Sequence, residues 1–73
     1  MAIVMERKNF EEHQCVKIII DLNPVIKSGM TGVILEVFEN DDYIVEFLDE
    51  NGFNYCYEDE CIFTINGMSL QAI

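Results

Sequence analysis

From residue 28 to residue 73 this chain has no lysine and no arginine. Neutralisation of phosphates by basic side chains supplies most non-specific nucleic-acid affinity, so this stretch has no means of holding DNA or RNA. The first 27 residues are balanced, because Arg7, Lys8, Lys17 and Lys27 offset Glu6, Glu11, Glu12 and Asp21. The whole formal net charge of −10 therefore originates after Lys27. Histidine occurs once, at His13, which leaves no second imidazole for a metal set and no Ser/His or Cys/His pair among the acids. Cys15, Cys56 and Cys61 are odd in number and none is spaced Cys-x-x-Cys. They are expected to be reduced thiols acting as small apolar residues. No apolar run approaches the roughly 18 residues of a membrane span. The opening Met-Ala-Ile-Val-Met-Glu also lacks the basic region of a secretory signal, and a cytoplasmic location is expected.

What is present is enough apolar residue to fold. At 51% hydrophobic, the chain is too rich in aromatic and β-branched residues for a disordered acidic segment, and 73 residues leave room for one small domain. Residues 14–21 read as a first strand with Val16, Ile18 and Ile20 on one face, stopped by Asn23-Pro24. Residues 25–32 read as a packed loop pinned by Val25 and Ile26 and ended by Gly29 and Gly32, both able to take positive φ. Residues 33–39 form a second strand with Val33, Leu35 and Val37 toward the core and Glu36 outward. After the polar turn Asn40-Asp41-Asp42, residues 43–49 alternate with Tyr43, Val45 and Phe47 on one side. Asn51-Gly52 signals a type I′ hairpin into a fourth strand over residues 53–57. Glu58-Asp59-Glu60 ends that strand, and residues 61–65 form the fifth. Five short strands at this spacing predict an all-β protein, a small and mostly antiparallel barrel over residues 14–73. Residues 1–13 are expected to be an arm or a short helix.

The run Asp21-Leu22-Asn23-Pro24, then Ser28-Gly29-Met30-Thr31-Gly32-Val33, then Tyr43-Ile44-Val45-Glu46-Phe47-Leu48-Asp49 and Gly52 resembles a family of small bacterial SH3-like barrels. The likeness covers roughly residues 15–65. The Gly29-Met30-Thr31-Gly32-Val33 element is also similar to the glycine turn of KOW-type barrels, which bear Lys and Arg on exposed loops where this chain is neutral or acidic. The resemblance implies a five-stranded SH3-like barrel, and its acidic members resemble small antitoxin or immunity proteins.

No catalytic, cofactor-binding or metal-binding residue is expected. The acids lie in turns and at outward strand positions, and no basic group stands near Cys56 or Cys61 to lower a thiol pKa. The segment from Asp49 departs from a calcium loop, since its glycine falls at the fourth position rather than the sixth. A field of one sign attracts a cationic partner and speeds encounter with it. The expected contact surface comprises Glu36, Glu39, Asp41, Asp42, Glu46, Asp49, Glu50, Glu58, Asp59 and Glu60, with Tyr43, Tyr55 and Tyr57 as aromatic anchors. The expected role is an immunity or antitoxin protein that occludes the nucleic-acid site of a basic nuclease toxin. Alternatives are a nucleic-acid mimic that inhibits a restriction or CRISPR nuclease, or an accessory domain of a larger assembly that docks through Val25, Ile26 or Met30. Charge repulsion favours a monomer over a homodimer.

Overall fold

A computed structural model describes residues 8–73. Five antiparallel strands form one sheet: β1 (Cys15–Ile18), β2 (Thr31–Val37), β3 (Asp42–Phe47), β4 (Phe63–Asn66) and β5 (Leu70–Ala72). A 3₁₀ turn, Gly67–Ser69, joins the last two, with the Asn66 side chain capping it through the Met68 amide. The strand order is β4-β3-β2-β1-β5, which makes the all-β reading correct. No ladder joins β4 to β5 among the described residues, so the sheet itself is not closed.

Alternation explains the core. Along β3, Tyr43, Val45 and Phe47 are buried while Asp42, Ile44 and Glu46 face the other way. Val16 and Ile18 of β1, Ile34 of β2, Phe63 and Ile65 of β4 and Leu70 of β5 meet them, and Ile26 closes the cluster from the loop after β1. Phe47 and Phe63 pack with ring centroids 6.2 Å apart.

Several expectations are corrected. In β2 the buried residue is Ile34, whereas Val33 and Leu35 are half-buried and Val37 is exposed. The cause is Gly32. A Cβ there would lie 2.6 Å from Val45 Cγ1, so this position must face inward against β3, which places Ile34 inward as well. A bulge between Ile34 and Glu36 then resets the register. Gly32 thus serves close approach, and only Gly29 (φ 97°) takes the left-handed conformation. Residues 53–57 are not a strand but hold only isolated bridges, Leu48 with Asn54 and Tyr57 with Glu60. The fifth strand is instead β5, from the apolar tail, paired with β1. Ile20 lies beyond the end of β1 and is exposed.

Of the N-terminal segment, residues 1–7 lie outside the described residues. From residue 8 onward it is an arm rather than a helix. The Lys8 amide donates to the Asp41 carboxylate, the Phe10 amide donates to the Tyr43 hydroxyl, and the His13 amide donates to the Ile34 carbonyl. Phe10 is itself a core residue, edge-on to Tyr43 at 5.3 Å, which binds the arm to the sheet.

Candidate functional site

The acids divide into two groups by what their carboxylates touch. Asp41 sits in the β2–β3 turn with φ 63°. Its carboxylate accepts hydrogen bonds from the Tyr43 hydroxyl and the Lys8 amide, and its carbonyl accepts from the Gly67 amide at 2.7 Å and from Asn66 Nδ2 at 3.2 Å. A Cβ at Gly67 would meet this carboxylate, so any larger residue there displaces it. The Asp42 carboxylate accepts from Asn40 Nδ2 and Asn66 Nδ2. Asp49 Oδ1 accepts from the Asn51 and Phe53 amides at 2.8 and 3.0 Å. This Asx-type closure, with Gly52 alone at positive φ, replaces the expected type I′ turn. Glu46 holds a weaker bond from Asn54 Nδ2 at 3.4 Å. These acids build turns.

The second group is Glu36, Glu39, Glu50, Glu58, Asp59 and Glu60. All are exposed, and none makes a side-chain hydrogen bond among the described residues. Glu36 stands across from Ile44, which stands across from Thr64, so it shares the outer face of the sheet with Asp42 and Glu46. Glu58, Asp59 and Glu60 form the tip of a tight hairpin. Glu58 (φ 49°) and Asp59 (φ 66°) are both left-handed, the backbone of a type I′ turn. Tyr57 and Glu60 exchange both backbone hydrogen bonds, at 2.8 and 3.0 Å.

Cys56 and Cys61 flank that pair and form a disulfide. This corrects the expectation of three reduced thiols acting as small apolar residues: Cys56 is exposed, Cys61 is half-buried, and the free Cys15 is exposed. Reading Glu58-Asp59 as a two-residue turn would have revealed the pairing, since it sets Cys56 opposite Cys61.

The hairpin forms one wall of a groove of about 400 Å³ lined by Leu22, Asn23, Tyr57, Glu58, Glu60, Phe63 and Thr64. Asn23 shapes the opposite wall, its Oδ1 accepting from the Val25 and Ile26 amides at 2.9 and 2.8 Å. Ile26 is a buried core residue, and Val25 and Met30 pack against the core while staying half-buried. A second hollow of about 310 Å³ lies between the arm and the β2–β3 turn, beside Phe10, Phe38 and Glu39.

The three tyrosines part company. Tyr43 is 1% exposed, and its hydroxyl donates to Asp41 and accepts from Phe10, so it is an internal strut that presents nothing to a partner. Burial first, and then the hydrogen bond to Asp41, raise its pKa above the ordinary phenol value. Tyr57 packs against the core while lining the groove. Tyr55 is exposed, with its amide donating to the Phe47 carbonyl.

Among the described residues no three of His, Cys, Asp and Glu gather as a metal set, and no helix is long and apolar enough to cross a membrane. No family model, curated protein or solved structure matches this chain.

Proposed function

We propose that this protein is a non-catalytic binding module that captures a cationic protein. In its most concrete form it is a cytoplasmic immunity or antitoxin protein, an SH3-like fold that covers the nucleic-acid site of a basic nuclease toxin. The observation that carries the reading is the division of the acids. Six carboxylates stay exposed and without a hydrogen-bond partner among the described residues, on a stretch without a single Lys or Arg, although their mutual repulsion opposes folding. Three of the six crown a hairpin beside a groove that also offers Tyr57, Leu22 and Phe63. An acidic rim over an aromatic and aliphatic floor suits Arg or Lys side chains, whose charged heads meet carboxylates while their stems lie on apolar surface.

The test is capture from native host lysate on the immobilised chain at low salt, with elution by a salt gradient. The comparison is Glu58→Gln/Asp59→Asn/Glu60→Gln, which leaves Asp41, Asp42 and Asp49 intact. A basic nuclease that elutes late from the wild type, elutes early from the variant, and loses activity in the complex supports the proposal. Identical elution profiles from the two proteins would sink it.

A further inference from the structure

We propose that the Cys56–Cys61 bond is a reversible redox clasp that sets the order of the acidic hairpin, and with it one wall of the groove. The segment it closes has little else to hold it. From Phe53 to Glu60 every residue but Tyr57 is exposed, and the segment meets the sheet through isolated contacts such as the Leu48–Asn54 bridge and the Tyr55 amide on the Phe47 carbonyl, with no continuous ladder. The turn itself sets two non-glycine residues, Glu58 and Asp59, in the left-handed region, which L side chains disfavour. Glu58, Asp59 and Glu60 are consecutive like charges. Against these stand the two hydrogen bonds between Tyr57 and Glu60, an exposed bond from Asn54 Nδ2 to the Cys61 carbonyl at 3.3 Å, the packing of Tyr57, and the disulfide just outside the turn. Bonds between exposed chain segments are weak when their alternative is water. Once the sulfurs part, the hairpin rests on a few exposed hydrogen bonds and the packing of Tyr57 alone.

The bond is also accessible. Cys56 is exposed and Cys61 half-buried, so a thiolate approaches from the Cys56 side. In the reductive direction, a dithiol's thiolate attacks Cys56 Sγ and Cys61 Sγ departs as thiolate. The dithiol's second sulfur then displaces Cys56 from the mixed disulfide. Two electrons and two protons pass to the protein, and the dithiol becomes a disulfide. Closure runs the same way in reverse, with a low-molecular-weight disulfide as oxidant leaving as two thiols. The core is spared, because no core residue other than Phe63 lies within two positions of either cysteine. The effect on a partner rests on the proposed function: the closed clasp holds Tyr57, Glu58 and Glu60 against the groove, and the open one releases them.

The experiment is amide hydrogen exchange on the full chain carrying Cys15→Ser, which removes the other thiol, in oxidised form and after dithiothreitol. Intact mass first fixes the state: iodoacetamide adds nothing to the oxidised chain and labels two sites in the reduced one. Reduction is expected to lower protection of the Tyr57 and Glu60 amides at least tenfold while amides of β1 to β3 keep theirs, and reoxidation restores it. Cys56→Ser/Cys61→Ser should match the reduced form with or without reductant. Unchanged protection at Tyr57 and Glu60 overturns the proposal. So does loss of protection throughout β1 to β3, which makes the bond a global staple, and so does failure of the two thiols to pair under a glutathione disulfide buffer. Because exchange needs no partner, the clasp stands or falls apart from the binding reading. Capture of a basic protein equally by oxidised and reduced chain removes only the regulatory consequence.

Discussion

The β2–β3 turn at Asp41 and the hairpin tip at Glu58-Asp59 use the same ingredients to opposite ends. Both are acidic, both place non-glycine residues at positive φ, and both stand at the edge of a hollow. At Asp41 the carboxylate is drawn inward to the arm (Lys8) and the core (Tyr43), and the backbone carbonyl of the same residue holds the β4–β5 connection (Gly67). At the tip the carboxylates point to water and a covalent bond holds the backbone instead. Charge density along the sequence therefore does not distinguish an acid that builds the fold from one available to a partner. The hydrogen-bond partners do.

The comparison breaks most readily at Asp41. Asp41→Ala leaves the Tyr43 hydroxyl without an acceptor inside the core and frees the Lys8 amide, at an expected cost of about 2–4 kcal/mol. Urea denaturation with an unchanged m-value is the measurement. Asp41→Asn keeps an acceptor oxygen and tolerance of the left-handed backbone, and should lose distinctly less. An effect of Asp41→Ala as small as that of Asp59→Ala would mean that the two turns do not differ as described.

Gly67→Ala attacks the same junction from the other side. The added methyl meets the Asp41 carboxylate, and the expected loss is about 1–3 kcal/mol, read as a fall in midpoint. Because both substitutions break one contact, Asp41→Ala/Gly67→Ala should cost less than the sum of the two singles.

Alkaline pH probes the network without mutation. The folded state keeps the Tyr43 proton to higher pH than the unfolded chain does. Its contribution is thus complete below the unfolded phenol pKa of about 10, and it is lost as pH rises from there through the folded value. Stability of the wild type should fall more steeply above pH 10 than that of Tyr43→Phe, which starts lower because the Phe10 amide loses its acceptor. Parallel pH profiles for the two proteins would remove Tyr43 as the group responsible.

Most of the sheet was legible because alternation is a local signal. Tyr43, Val45 and Phe47 share one face of β3, and Val16 and Ile18 do so in β1, as their spacing requires. The β2 face was misread because Val33-Ile34-Leu35 is apolar throughout, and what decides it is contact between Gly32 and Val45, a residue on another strand. Residues 53–57 look like a strand in composition but find no continuous partner, while Leu70–Ala72, unremarkable alone, finds β1. The acids were visible and their division was not, since a partner such as Lys8 for Asp41 lies 33 residues away.

The smallest expected effect sharpens the hairpin side of the comparison. Glu58→Asn/Asp59→Gly supplies the residues a type I′ turn prefers and should stabilise the oxidised chain by about 0.5–1 kcal/mol, since the left-handed cost falls on residues suited to it. In the reduced chain the gain should be visible mainly as restored protection of the Tyr57 and Glu60 amides, because a turn that forms without strain has less need of the clasp. The same variant lacks two free carboxylates, so under the proposed function it binds its partner more weakly while folding better. Weaker binding with higher stability would place these two acids at the tip for recognition. Unchanged binding together with higher stability would shift the partner contact to Glu36, Glu39 and the outer face of the sheet.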